Sequence, residues 1–224
     1  MTKSALGKIT AFICGVILLA ACAPVRVLTH TTSTDPVAAP AGLYRLDPDH
    51  ASLVFNIDHL GFSRFTGRFN DIAATLDFKP EAPETSRLVA TIKAASLDTP
   101  VEALDKLITG DDMLEVTKFP EIHFESTTIT RTAAAAGKLT GKLTLHGVTK
   151  PVILGIIFHG GAPNPLTGEP TLGFAADGTL SRASFGLTAW APAVGDDVRF
   201  HIEAEFVLKD KPSASRHQTP ESTP

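Results

Sequence analysis

The chain has 224 residues, 20 Lys and Arg against 24 Asp and Glu, a formal charge of −4 and 43% apolar residues. Without a basic run it lacks the Lys and Arg patches that phosphate-dominated nucleic-acid binding or electrostatic docking on anionic lipid requires. Its cysteines are Cys14 and Cys22, both near the start, so the remainder has no disulfide, no thiol nucleophile and no zinc–thiolate site.

Lys3 and Lys8 form a basic head, followed over 9–21 by an apolar run whose one polar member is Thr10. That run is too short for the roughly 20 residues of a spanning helix and has the layout of a signal peptide. Leu19-Ala20-Ala21-Cys22 resembles the lipobox of bacterial lipoproteins, in which the thiol takes a diacylglyceryl group and becomes the new N-terminus. The alternative is an ordinary signal peptide in which Cys22 is incidental. Ala23, where an Asp would resemble an inner-membrane retention signal, points to the outer membrane and its periplasmic face. Loss of 1–21 removes two lysines and no acid, so the charge of −4 becomes −6.

Residues 22–41, with the Thr-, Pro- and Ala-rich stretch "TTSTDPVAAPAG" that runs over 31–42, read as a flexible tether behind the lipidated cysteine. The polar tail 211–224 reads as disordered. Between them, 42–210 is long enough for one domain with a substantial core.

Within 42–210 the dominant signal is period-two alternation, which predicts strands with one wet and one dry face. A strand is expected near Tyr44, and Leu53, Phe55 and Ile57 alternate with Val54, Asn56 and Asp58. Strands are expected next over 65–78 and 88–94. The segment "TPVEALDKLITGDDMLEV" is the one that reads as helical: Thr99 is the expected cap, Pro100 sits in the first turn, Leu104, Leu107 and Ile108 share a face, and Gly110 stops it. Ile122, Phe124 and Ser126 then alternate with His123, Glu125 and Thr127, and Leu139, Leu143 and Leu145 oppose Lys138, Lys142 and threonines. Strands at 151–158 and 171–180 follow, and Val198, Phe200, Ile202, Ala204 and Phe206 oppose Arg199, His201, Glu203 and Glu205. About eight or nine antiparallel strands with one short helix define an all-β protein, either a sandwich or a closed barrel. The charged outward faces argue against a lipid-spanning barrel.

The segments "YRLDPDHASLVFNIDHLGFSRFTGRF", "LDT", "TKFPEIHFEST", "GKLTLHGVTKPVIL", "RASFG" and "VGDDVRFHIEAEF" occur in an order that resembles the YceI-like family of bacterial envelope proteins. The resemblance implies an extended lipocalin-like eight-stranded antiparallel barrel with one short α-helix. It also implies an isoprenoid lipid ligand, of the prenylquinone or polyprenyl phosphate class, held inside the barrel without a further cofactor. On that reading Phe55, Ile57, Phe69, Phe124, Leu143, Leu145, Phe174, Phe200 and Ile202 line the ligand tube, and His59, like His50 a family position, can meet a headgroup. The alternative is an envelope lipoprotein whose barrel is filled by the same side chains. A homodimer of barrels sharing a mouth is compatible with the sequence, which does not set the oligomeric state.

The chain departs from the family in the helix. Where members often carry Arg-Asp-x-His-Leu and then Phe-Phe-Asp-Val, it has Leu104-Asp105-Lys106-Leu107-Ile108 and Met113-Leu114-Glu115-Val116. The eight histidines show no His-x-His or His-x-x-x-His spacing, so no metal site is expected. No Gly-x-Ser-x-Gly elbow or Gly-rich phosphate loop is present, and the acid pairs Asp111-Asp112 and Asp196-Asp197 read as solvated turn residues. A binding protein is expected in preference to an enzyme.

Overall fold

The computed structural model describes residues 27–209. The expected signal peptide 1–21, the lipidation site Cys22 and the tail 211–224 lie outside the described residues.

Ten strands and one α-helix follow the alternation read above. They are β1 (Gly42–His59), β2 (Ser63–Phe69), β3 (Ile72–Phe78), β4 (Arg87–Lys93), β5 (Leu97–Asp98), α1 (Glu102–Thr109), β6 (Glu121–Ala133), β7 (Ala136–Leu145), β8 (Val148–Pro163), β9 (Pro170–Ser181) and β10 (Val194–Leu208). The order β1-β3-β4-β6-β7-β8-β9-β10 is antiparallel throughout and closes where β10 pairs with β1. This is the closed eight-stranded barrel, and closure leaves no long edge for another chain to pair with. The upper half of β1 turns instead to β2, from Leu53↔Phe69 to His59↔Ser63, and β5 adds to β2. The span expected as one strand over 65–78 is thus two, broken at Asn70 and Asp71, because β1 is long enough to serve both.

Of the five register shifts in the barrel, those after Leu46 and after Ser126 reverse which face of β1 and of β6 looks inward. Between Leu46↔Phe206 and Ala51↔Ala204, β1 advances five residues while β10 advances two. The odd surplus reverses parity, so Tyr44 and Leu46 face in below the bulge, and Ala51, Leu53, Phe55 and Ile57 above it. The displaced Asp47–His50 corner is held by its own side chains: Asp47 accepts from the Asp49 N–H at 3.1 Å and bonds His50 Nδ1 at 2.9 Å. A second shift falls between Ser126↔Gly141 and Thr128↔Thr140. There buried Ser126 accepts the Leu88 N–H at 2.8 Å, and inward facing passes from Phe124 to Ile129.

One end of the barrel is closed by a segment expected to be free. From Thr32 onward the presumed tether lies against β8. Thr32 Oγ1 donates to the His159 carbonyl, Ser33 pairs with Gly161, a single 3-10 turn runs over Pro36–Ala38, and Ala39 is buried among Tyr44, Phe158 and Leu172. The flexible-tether expectation for 22–41 is therefore corrected for 32–41. Low apolar periodicity does not exclude a strap whose polar atoms pair with the barrel's backbone. Tyr44 is fully buried and donates to the Pro40 carbonyl at 2.8 Å, and burial pushes its pKa up to about 12. Tyr44→Phe removes that one hydrogen bond, so unfolding followed by circular dichroism should show a loss of about 1 kcal/mol, or roughly 2–4 °C in Tm.

The outer face joins histidines that the sequence leaves far apart. His201 bonds Asp177 at 2.8 Å and Glu203 at 3.0 Å, and Glu203 reaches His159 at 3.2 Å. Among the described residues no three His, Cys, Asp or Glu are grouped to hold a metal ion. The hydrogen bond that His201 donates to Asp177 raises its pKa above the ordinary 6.5, and the one that His50 donates to Asp47 raises that of His50. A raised histidine stabilises the fold fully below its unfolded pKa, and that contribution is lost as pH rises through the folded value. Tm should therefore fall slightly as pH increases upward from 6.5, and His201→Gln should flatten that slope in pH-resolved thermal scans. Both pairs are solvent-exposed, so the effect is small.

Candidate functional site

The inward faces do not meet. They enclose a lumen of about 980 Å³ that runs from the β1–β2 turn at one end to the strap residue Pro36 at the other. This is the upper end of the range for small-molecule sites, and it is more room than a barrel filled by its own side chains would leave. All ten residues expected at the ligand tube line it: Phe55, Ile57, His59, Phe69, Phe124, Leu143, Leu145, Phe174, Phe200 and Ile202. His50 does not. It points outward from the bulge onto Asp47, and because nine residues, an odd number, separate it from His59, the two fall on opposite faces of β1.

Small residues on neighbouring strands make room for the large ones. A Cβ at Gly141 would stand 2.3 Å from the Phe124 ring, and one at Gly178 would stand 2.4 Å from the Phe200 ring. Each ring thus occupies the space that a side chain at the neighbouring glycine would need. Alanines, Ala74, Ala90 and Ala204 among them, hold the waist open.

Polar side chains reach the lumen only at its two ends. His59 and Arg182 are at the β1–β2 end, and Ser86 and Arg131 are at the strap end. Ser86 is occupied in accepting the Lys79 N–H at 3.0 Å. Arg182 is 5% exposed and has no carboxylate ion-pair partner among the described residues. Its guanidinium donates to four carbonyls, those of Leu187 (2.7 Å), Ala189 (2.7 Å), Gly195 (2.8 Å) and Val194 (2.9 Å). The rigid fork of donors thus ties together both sides of the β9–β10 connection that carries Trp190. Arg182 opens the "RASFG" segment, where no pattern in the sequence assigns it a role. Asp196, expected in a turn, lies in β10; its side chain accepts the Ala183 N–H at 2.8 Å, and its pKa is lowered by hydrogen bonds with Ser181 and Ala183.

The helix forms part of the wall at this end, and its start differs from expectation. The N-cap is Val101, with no side-chain cap. Thr99 instead donates to Asp105 Oδ1 at 2.6 Å, while Asp105 also accepts the Thr99 N–H at 3.0 Å. Pro100 follows Thr99 and delays the helix to Glu102, so the hydroxyl is too far back to cap it. Of the expected apolar face, Leu104 and Ile108 are half-buried, whereas Leu107 is 60% exposed at the lumen's mouth. Leu114, in place of a family aromatic, is buried in the core with Phe124 and Phe185. His146, in the β7–β8 turn, pins the segment after the helix: its ring nitrogens reach Glu115 at 2.7 Å and the Phe185 carbonyl at 3.2 Å, and its hydrogen bond lowers the Glu115 pKa.

All four described non-glycine residues with φ between 46° and 62° lie around this one end: Leu60, Glu115, His146 and Trp190. Left-handed backbone at such residues costs about 1–2 kcal/mol each. The strap end shows no such strain among non-glycine residues.

A closed antiparallel barrel around an apolar lumen places the chain in the lipocalin-like class of eight-stranded barrels. The YceI-like domain model matches residues 44–206, and the chain belongs to that family. It is 38% identical over 156 residues to a UPF0312 protein of Pseudomonas savastanoi pv. phaseolicola, covering 69% of this chain and 81% of that protein. Among solved structures it is similar to the Campylobacter jejuni YCEI protein, with a TM-score of 0.62, 31% identity, and coverage of 69% of this chain and 91% of that one. A Saccharophagus degradans polyisoprenoid binding domain shares the fold, with a TM-score of 0.55 and 12% identity, covering 76% of this chain and 100% of that one.

Proposed function

We propose that the lumen binds the tail of a long-chain isoprenoid lipid, of the prenylquinone or polyprenyl phosphate class, and sequesters or carries it at the cell envelope. The observation that carries this reading is a continuous apolar tube with polar side chains confined to its ends, which suits a long hydrocarbon with one polar terminus. Family membership supports it, as does a shared fold with a domain described as polyisoprenoid-binding. The open volume of about 980 Å³ favours a carrier over a filled structural barrel. Each isoprene unit has five carbons, so its burial contributes roughly 4 kcal/mol. Several units would overshoot the practical ceiling of about 20 kcal/mol, so ordering losses offset much of the gain, and tunnel length sets chain-length preference.

We read the protein as a binder and not as an enzyme. The same proposal holds it at the periplasmic face, on the outer membrane, through acyl chains on Cys22; the Leu19-Ala20-Ala21-Cys22 motif supports that placement. Native mass spectrometry of protein purified from its own envelope, followed by organic extraction, should release a prenyl lipid. Protein that carries none and takes up no prenylquinone in vitro would end this reading.

A further inference from the structure

The β1–β2 end of the barrel carries a ring of exposed apolar side chains. Phe62 is 89% exposed at the tip of the β1–β2 turn, Leu107 60%, Leu60 54%, Val101 47% and Trp190 44%. A soluble surface carries such residues singly, and a contiguous set rimmed by polar groups marks an interaction site. Four of the five, all but Phe62, also line the lumen, so the outer patch and the inner wall are one apolar surface. At the strap end the exposed Val37 and Leu166 do not line the lumen, and Pro36 and buried Ala39 cover the opening.

We propose that this rim docks on the surface of a lipid bilayer, with Phe62, Leu60 and Trp190 entering the boundary between headgroups and acyl chains. The step rests on the lumen holding a lipid: a ligand can then pass from membrane to lumen along apolar surface without crossing water. The charge pattern selects the mode of docking. Arg64 and Arg199 next to the rim are both paired with Asp58, at 3.5 and 3.3 Å, and Lys106 on α1 is paired with Glu102 at 2.8 Å. Arg199 also lies 4.0 Å from Asp197, so these three cations face three acids, and the attraction is apolar insertion and not the pull of anionic headgroups. A Trp at the rim suits the interface, where its ring is apolar and its N–H stays wet.

Trp190 is the sole tryptophan of the chain and therefore a built-in reporter. The experiment uses the full chain carrying Cys22→Ser, so that no acyl group is attached there, with phosphatidylcholine vesicles free of prenyl lipid. Docking of the rim should shift Trp190 emission to the blue, and vesicles with brominated acyl chains should quench it. Added phosphatidylglycerol should not strengthen binding. Phe62→Glu should reduce vesicle binding by at least about tenfold, while uptake of prenylquinone from detergent solution stays unchanged because Phe62 does not line the lumen. Vesicle association without quenching would place contact at the N-terminal segment and overturn the proposal. So would binding that requires anionic lipid, equal quenching in Phe62→Glu, or a concentration-dependent shift without vesicles that marks a mouth-to-mouth dimer. Failure of prenylquinone uptake in the parent chain would instead strike the proposed function.

Discussion

Phe200→Asp should abolish uptake of a prenyl lipid by a barrel that still folds. Phe200 pairs with Phe55 across the β1–β10 seam and lies over Gly178 on the wall of the lumen. With the lumen empty, an Asp there can keep water around its carboxylate, since a cavity of about 980 Å³ has ample room. An isoprenoid tail would strip that water and leave an unpaired buried charge. The penalty is at least about 3 kcal/mol, or more than 100-fold in affinity. Titration with a prenylquinone, alongside circular dichroism to confirm folding, checks this, and Phe200→Leu should bind much as the parent does. Phe124→Asp should act in the same direction, although Phe124 is more deeply packed, 7% exposed in a core cluster with Leu143 and Leu145, and will also lose stability. Normal uptake in folded Phe200→Asp protein would show that the tail does not pass this point of the wall.

Arg182→Met should give the largest loss of stability of the changes considered. The side chain is buried and its donors satisfy four backbone carbonyls. A methionine of similar length fills the space but leaves those acceptors without donors, some of them within reach of water. The cost should be about 4 kcal/mol, a fall in Tm on the order of 10 °C for a domain of this size. Arg182→Lys should recover only part of it, because an ammonium cannot span four acceptors placed around a planar fork. A Tm within a degree or two of the parent for Arg182→Met would mean that the β9–β10 connection holds its shape without this cation.

The difference between these two positions shows how unevenly the molecule could be read in advance. Phe200 announces itself: it alternates with Arg199 and His201 in a strand whose wet face is charged, and a period of two leaves it one direction to point. Arg182 is a charged residue that sequence patterning assigns to the surface, and only the return of the chain over 187–195 places carbonyls around it. Leu60, Phe62, Leu107 and Trp190 belong with Arg182 in this respect. Three of them sit in a turn or a long connection where no local period dictates direction, and Leu107, which the helical period puts on the apolar face, is left exposed at the mouth; each acquires meaning from neighbours distant in sequence. Thr99 shows the same limit at short range, since a hydroxyl two residues too early forms a latch to Asp105 and not a cap.

Alternation of apolar and polar side chains was enough to determine an all-β chain and to name residues that face inward, because side-chain direction in a strand follows from the backbone's own period, and stop and start signals placed one helix between Thr99 and Gly110. That period cannot say how many residues a bulge inserts, so the parity change at Asp47–His50, which lets Tyr44 and Leu46 face inward along with Leu53, Phe55 and Ile57, belonged to the tertiary structure. The same holds for the lumen itself. Inward apolar residues fill a core or line a tube depending on barrel closure and on the volume left over glycines and alanines of adjacent strands, and packed volume is a property of three dimensions that no order of residues along a line contains.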